Sequence, residues 1–287
     1  MTLRLLAAGI LLTLSIFSGQ AGRSPEDVSV VLDRASAYVE ALEKQFEAIV
    51  WHESYQQVSR VPRRFAGSGG RFVTAESRQL EAEMLFVWVE ANGTWLAVRD
   101  VISVDGRPTA RRLPELLKKK EVRLRDLEAL STENARYNIG PIERNFNEPM
   151  LALVFLDARY RSRFAFTDRG REEIDGTPVV RIDFREVHKP TVIRSDDRDV
   201  IASGAFFVES SSGRVLRTNL DVAQPANGIH GRIVVSYGLS SKLGVMVPVE
   251  MVETYGLDGM KDSEGITCTA TYSDFRRFET AGRLILR

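Results

Sequence analysis

Through the second half of the chain, apolar residues recur at every second position between glycine-bearing turns, and this alternation restricts the fold more than anything else in the sequence. Val180, Ile182 and Phe184 alternate with Arg181, Asp183 and Arg185 after the turn Asp175-Gly176. Leu216, Thr218, Leu220 and Val222 alternate with Arg217, Asn219 and Asp221 after Ser211-Ser212-Gly213. The same period predicts strands over 229–237, 245–255 and 266–275, with one more near 163–167. Side chains on a strand point alternately to its two faces, so such a pattern describes antiparallel strands with one buried and one wet face. No strand–helix–strand rhythm interrupts it, which argues against a doubly wound nucleotide-binding fold.

The first half adds helices and one hairpin. Ser24-Pro25-Glu26-Asp27 reads as a helix start, and Val28, Val31, Leu32, Ala35, Val39, Leu42, Phe46 and Ile49 recur at three- and four-residue steps to about residue 50. One face of that helix is therefore buried, most simply against a sheet. Leu80, Ala82, Met84, Phe86 and Trp88 then alternate with Gln79, Glu81 and Glu83, while Leu85, Val87 and Val89 make the far end apolar on both faces. That strand is expected to be half-solvated at one end and covered at the other. Asn92-Gly93 joins it to Trp95-Leu96-Ala97-Val98 as a hairpin, because both turn positions need positive φ. Helical spacing returns over 113–137, with Gly140-Pro141 as its stop. A short helix is predicted to begin at Glu148-Pro149 and to carry seven apolar residues in a row, Met150 to Leu156. The expectation is an α+β fold: a strongly curved antiparallel sheet of about nine or ten strands, an open half-barrel, with a long N-terminal helix and an insertion at about 111–160 whose helices cover one face.

Residues 1–22 have the three parts of a secretory signal: Arg4, an apolar run of thirteen positions from Leu5 to Phe17, and the small residues Ser18, Gly19 and Ala21. As a helix that run would span only about 20 Å, short of the roughly 30 Å hydrocarbon core of a bilayer. The reading is an exported protein, periplasmic or extracellular, with a single β-rich domain over 23–287 and no transmembrane span after signal removal. Composition then excludes whole classes of function. Lys+Arg and Asp+Glu are both 39 and the net charge is zero, which gives no overall attraction to nucleic acid. One cysteine, Cys268, cannot make an intramolecular disulfide, hold an iron–sulfur cluster through several thiolates, or supply a zinc site built on cysteine pairs.

No catalytic constellation stands out. Of the three histidines His52, His188 and His230, His52-Glu53 lacks the second histidine of a zinc-protease helix. Gly67-Ser68-Gly69-Gly70 is a loop with neither the nucleophile elbow of a hydrolase nor the Gly-Lys-Ser/Thr ending of a phosphate cradle. Cys268 shares a face with Ile266 and Ala270 and reads as a small buried hydrophobe. Asp196-Asp197-Arg198-Asp199 has the wrong spacing for a calcium loop and reads as a solvated turn. The basic run from Arg111 to Arg125, including Lys118-Lys119-Lys120, is a solvated helix face. No catalytic residue, metal site or cofactor is assigned. The remaining candidates are apolar: Phe86, Trp88, Trp95, Met150, Phe155, Phe164, Phe166 and Phe207, at strand and helix positions where they would line a groove.

Several stretches carry a resemblance. Arg99-Asp100-Val101, the run from Ala135 to Gly140, the hairpin from Gly204 to Thr218 and Val247-Pro248-Val249-Glu250-Met251 look like a group of uncharacterised exported bacterial proteins, across most of residues 27–275. More distantly, the order of elements is similar to the periplasmic lipoprotein-carrier superfamily. That resemblance implies a long entry helix, an open antiparallel half-barrel, helices plugging its concave face and a cavity for acyl chains. The expected function is a non-enzymatic exported binding protein holding a lipid or another hydrophobic small molecule in a half-barrel groove, with 150–156 as a movable lid. Two other readings stand beside it: a module contacting an envelope protein without a small ligand, and a hydrolase using scattered Asp and Glu.

Overall fold

The computed structural model describes residues 27–46, 49–64, 71–89, 94–118, 121–142, 144, 148–195, 198–261, 263–277 and 283–284. The leader-like segment 1–22, Asn92-Gly93, Gly67-Ser68-Gly69-Gly70 and Asp196-Asp197 lie outside these residues. Eleven strands form the main sheet: β1 (Ile49–Arg60), β2 (Glu76–Val89), β3 (Thr94–Val104), β4 (Arg107–Pro108), β5 (Phe164–Ile174), β6 (Thr177–Glu186), β7 (Ile201–Val208), β8 (Val215–Gln224), β9 (Ile229–Ser240), β10 (Val245–Leu257) and β11 (Gly265–Arg277). Their spatial order is β4-β3-β2-β1-β11-β10-β9-β8-β7-β6-β5, and the ladders are antiparallel. The sheet is curved and open. Its first and last strands pair with each other in the middle, and its two edges, β4 and β5, are joined by the insertion 109–163.

Two-residue turns with positive φ close the tight hairpins, as Asp105-Gly106 between β3 and β4 and Asp175-Gly176 between β5 and β6. Register shifts at Val50/His52, Glu81/Ala82, Asp168/Arg171, Phe207/Val208 and Ser236/Tyr237 interrupt the ladders, and each such bulge adds local twist and bend.

The N-terminal helix α1 (Val28–Phe46) is shorter than its sequence pattern suggests. Ser24-Pro25-Glu26 lie outside the described residues, and Asp27 supplies a cap, its Oδ1 accepting from the Ser29 amide at 3.0 Å. Ile49 leaves the helical stripe to begin β1, the central strand that hydrophobic alternation does not reveal. The reason is chemical: the inward row of β1 is Trp51, Glu53, Tyr55, Gln57 and Ser59, all buried, so polar residues sit where an alternation reading looks for apolar ones.

Helices cover both sides of the sheet. On the inner face α1 buries Val31, Leu32, Ala35, Val39 and Leu42 over the main core, together with a 3-10 helix, Leu151–Leu156. On the outer face, α2 (Leu113–Leu117) and α3 (Leu124–Asn134) bury Leu113, Leu127 and Leu130 against Val50, Leu85 and Val98 of β1–β3. The helical spacing of 113–137 is thus cut in two, with a two-stranded parallel ladder of Glu121–Val122 and Arg283–Leu284 in the break. The insertion divides between the faces, since α2 and α3 take the end of β2 that is apolar on both sides. The rest of the insertion crosses to the inner face. Arg111 and Arg112 of the basic run pair with Glu83, Asp100 and Glu133 instead of facing solvent alone.

A candidate amphiphile site on the inner face

The inner face has an apolar half and a polar half. Under the apolar half, four phenylalanines form a continuous ladder: Phe155 stacks on Phe164 at 4.6 Å between ring centroids, Phe184 stacks on Phe206 at 4.5 Å, and Phe155 meets Phe184 edge-on at 5.6 Å. Phe166 extends the row, 6.4 Å from Phe164. Phe164, Phe184 and Phe206 come from β5, β6 and β7, where period-two alternation aims them inward. Phe155 comes from the 3-10 helix, in which Ala152, Leu153, Val154, Phe155 and Leu156 are all buried. This helix fills the groove between the sheet and α1. Among the described residues, the chain's own segment 149–156 occupies the space between the sheet and α1.

Few polar bonds hold that plug. Tyr237 donates its hydroxyl to the Pro149 carbonyl at 2.6 Å, and Ser36 of α1 donates to the Leu156 carbonyl at 2.8 Å. At the far end the buried Glu43 of α1 faces Asp157, with its Oε1 3.5 Å from Arg159 Nη2, and Arg159 binds Asp157 through Nε and Nη2 at 2.8 and 2.9 Å. Burial first, then the hydrogen bond and charge of Asp157, push the Glu43 carboxyl up to about 8, so it carries the proton between the two oxygens near neutral pH. Asp157 is held below its ordinary value: the Arg159 and Glu43 bonds outweigh the opposing effect of its burial.

The polar half lies under the chain leading to the plug. Glu53, fully buried on β1, accepts from Arg99 Nε at 2.5 Å and Nη2 at 3.0 Å, and Arg99 stacks over the Tyr55 ring at 4.8 Å. Buried Arg144 donates to Gln57 Oε1 at 2.6 Å and Cys268 Sγ at 3.4 Å, and lies 5.7 Å from the Tyr255 ring centre. Gln57 in turn donates to the Tyr137 carbonyl and accepts from the Ile139 amide, so this β1 side chain, with Arg78 on the same carbonyl, ties the 137–139 turn to the sheet. Glu253 is fully buried, and its Oε2 accepts from the Tyr255 hydroxyl at 2.5 Å. Glu253 Oε1 and Arg144 Nε have no hydrogen-bond partner among the described residues.

Burial governs protonation here. It pushes the Glu253 carboxyl up, and it raises half-buried Glu148 to about 8 against the opposing backbone bond to Ala97 and the charge of Arg99. Burial pushes the Cys268 thiol up to about 11, which keeps it protonated near neutral pH. Among the described residues no group of three His, Cys, Asp or Glu side chains comes together as a metal ligand set. Chemically, the polar half can neutralise and hydrogen-bond one charged or polar head, and the apolar half can cover a hydrocarbon chain.

Of the residues expected to line a groove, Met150, Phe155, Phe164 and Phe166 come together in the main core. Phe207 does not join them. It lies on the other face of β7 with Val179 and Ala205, between the Arg181 and Arg217 side chains, because its neighbour Phe206 takes the inward position. The side chains of Phe86, Trp88 and Trp95 lie outside the described set. Phe184 and Tyr237 sit on strands whose alternation already marks them as inward. Glu53, Arg99, Arg144 and Glu253 carry no such signal: each is an ordinary charged residue until the fold buries it.

No family model matches the chain, and no curated protein matches it. Solved structures do. A putative outer membrane lipoprotein-sorting protein domain from Vibrio parahaemolyticus is 12% identical, with 86% of this chain and 91% of that chain covered and a TM-score of 0.42. A DUF1329 family protein from Desulfovibrio piger is 10% identical over 87% of this chain and 92% of that one, with a TM-score of 0.35. LprF from Mycobacterium bovis is 11% identical over 85% and 92%, with a TM-score of 0.24. Among the described residues no helix is long and apolar enough to cross a membrane.

Proposed function

We propose that this protein is a non-catalytic binder of a lipid or acyl chain, acting outside the cytoplasm. The hydrocarbon lies on the Phe164–Phe184–Phe206 ladder after the 149–156 plug moves aside, and the Glu53–Arg99–Arg144 half receives the polar head. The observation that carries this reading is the plug itself: a short helix of six consecutive apolar residues, placed between an aromatic ladder and an amphipathic helix. Short 3-10 turns have poorer hydrogen-bond geometry than α-helix. The energetics allow exchange. Re-exposing Met150, Leu153, Val154, Phe155 and Leu156 costs about 8–15 kcal/mol at about 1.5–3 kcal/mol for each side chain. Burying a chain of about sixteen carbons returns about 12 kcal/mol at 0.8 kcal/mol per methylene. Export rests on the leader-like composition of residues 1–22.

The test is native mass spectrometry of protein purified from its source, combined with displacement of a fluorescent fatty acid. A co-purifying hydrophobic mass and saturable uptake of the probe are expected. Tyr237→Phe, which frees the Pro149 carbonyl, should raise probe affinity several-fold. Absence of both the mass and probe uptake, in the wild type and in Tyr237→Phe alike, overturns the reading.

A further inference from the structure

Among the described residues no helix packs on the outer face of the sheet over β5–β9, and that face is not flat. A basin of about 550 Å³ opens there, within the range of small-molecule sites. Small residues line it, Ala165, Ser203, Gly204 and Ala205, with the Phe184 ring reaching it beside Gly204, and its charged lining is Arg169, Arg181, Arg185 and Arg232 with Asp183 and Asp221. Small residues flanked by long ones on adjacent strands are what make a concavity on a sheet surface. Gly204 is held to this size, since a Cβ there would lie 1.9 Å from the Asn219 carbonyl oxygen.

The charges are unequal and already oriented. Asp183 accepts from Arg169 Nε at 2.7 Å and from Arg181 Nε at 3.0 Å, and Asp221 takes Nε and Nη2 of Arg232 at 2.6 and 3.0 Å. Glu172, not among the basin's walls, approaches Arg181 at 3.7 Å. Four guanidinium groups against two carboxylates leave the walls positive, and Arg185 makes no ion pair with a described residue. A guanidinium has five N–H donors, and those bound to Asp183 and Asp221 use one or two each. The ion pairs fix these side chains in place, which lowers the entropy lost when a ligand binds them. The Asn219 side-chain oxygen, on the same wall, has no hydrogen-bond partner. Phosphate is the anion whose several oxygens suit guanidinium forks on more than one side. The basin is larger than a bare phosphate needs, leaving room for a small polar body.

We propose that this outer basin binds a phosphate monoester or diester carried on a small polar group, either a soluble metabolite or a lipid headgroup. The site lies on the face opposite the plug and stands or falls independently of the acyl-chain reading. It is tested on the full chain by titration calorimetry with glycerol 3-phosphate and with pyrophosphate, and by sedimentation with phosphatidylglycerol vesicles against phosphatidylcholine vesicles. Saturable, salt-sensitive binding is expected. Binding to the soluble compounds identifies a metabolite, and binding to phosphatidylglycerol vesicles alone identifies a headgroup. Arg185→Gln combined with Arg169→Gln should weaken binding by about tenfold or more, as loss of charge-assisted hydrogen bonds does. Asp183→Asn removes a competing carboxylate and should tighten it, an outcome a merely structural pair would not produce. No binding in either arm, or binding unchanged in the double arginine variant and weakened by Asp183→Asn, overturns the proposal.

Discussion

At the scale of single residues, the inner face holds charge where a sheet core is usually apolar. Glu53 is wholly buried and its partner Arg99 only 13% exposed, so their two hydrogen bonds replace the water both have lost. Removing one partner leaves the other charged and unpaired, so Arg99→Met should destabilise the protein by about 3–5 kcal/mol in urea unfolding. The double variant Glu53→Gln with Arg99→Met should recover part of that loss. Retention of full stability by Arg99→Met would mean that water reaches Glu53. Neither residue was legible as a site residue in the sequence, because a charged residue announces its burial only through partners distant in the chain. Phe155 and Phe164, by contrast, were legible from strand period and from an unbroken apolar run.

At the scale of elements, the decisive feature is the clasp between α1 and the end of the plug. The Glu43 proton bridges to Asp157 only while Glu43 is neutral, and its folded-state value is about 8 against an ordinary 4.5. A carboxyl raised in this way stabilises the folded state fully below its unfolded value. That contribution is lost as pH climbs from about 4.5 through about 8. Hydrogen-exchange protection of the Leu153 and Asp157 amides, which bond Met150 and Val154 carbonyls, should therefore fall as pH rises from 6 to about 9. Glu43→Gln, which donates at every pH, should flatten that dependence. Protection in the wild type that is independent of pH would place the plug's anchor elsewhere. Glu148, raised to about 8 at the plug's other end, acts in the same direction.

At the scale of the whole molecule, the sheet is continuous in space but not along the chain. Runs β1–β4 and β5–β11 are each a meander, and only the β1–β11 ladder joins them within the sheet. A chain ending before Gly265 should lose cooperative unfolding by circular dichroism, because β1 and β10 each lose a neighbour at once and the two meanders part. Cooperative unfolding of that truncated chain would show that the insertion 109–163 holds them together unaided. The antiparallel class, the turns at Asp175-Gly176 and Gly213, the buried stripe of α1 and the apolar run at 150–156 are readable along the chain, because they depend on local period and turn chemistry. Tertiary packing was needed to show that β1 exists, that it stands at the centre against β11, and that the insertion splits between two faces. It alone also gathered Glu53, Arg99, Arg144 and Glu253 into one buried cluster and four arginines around one basin. Those outcomes depend on pairings between residues far apart in the chain, where burial, not period, selects the partner.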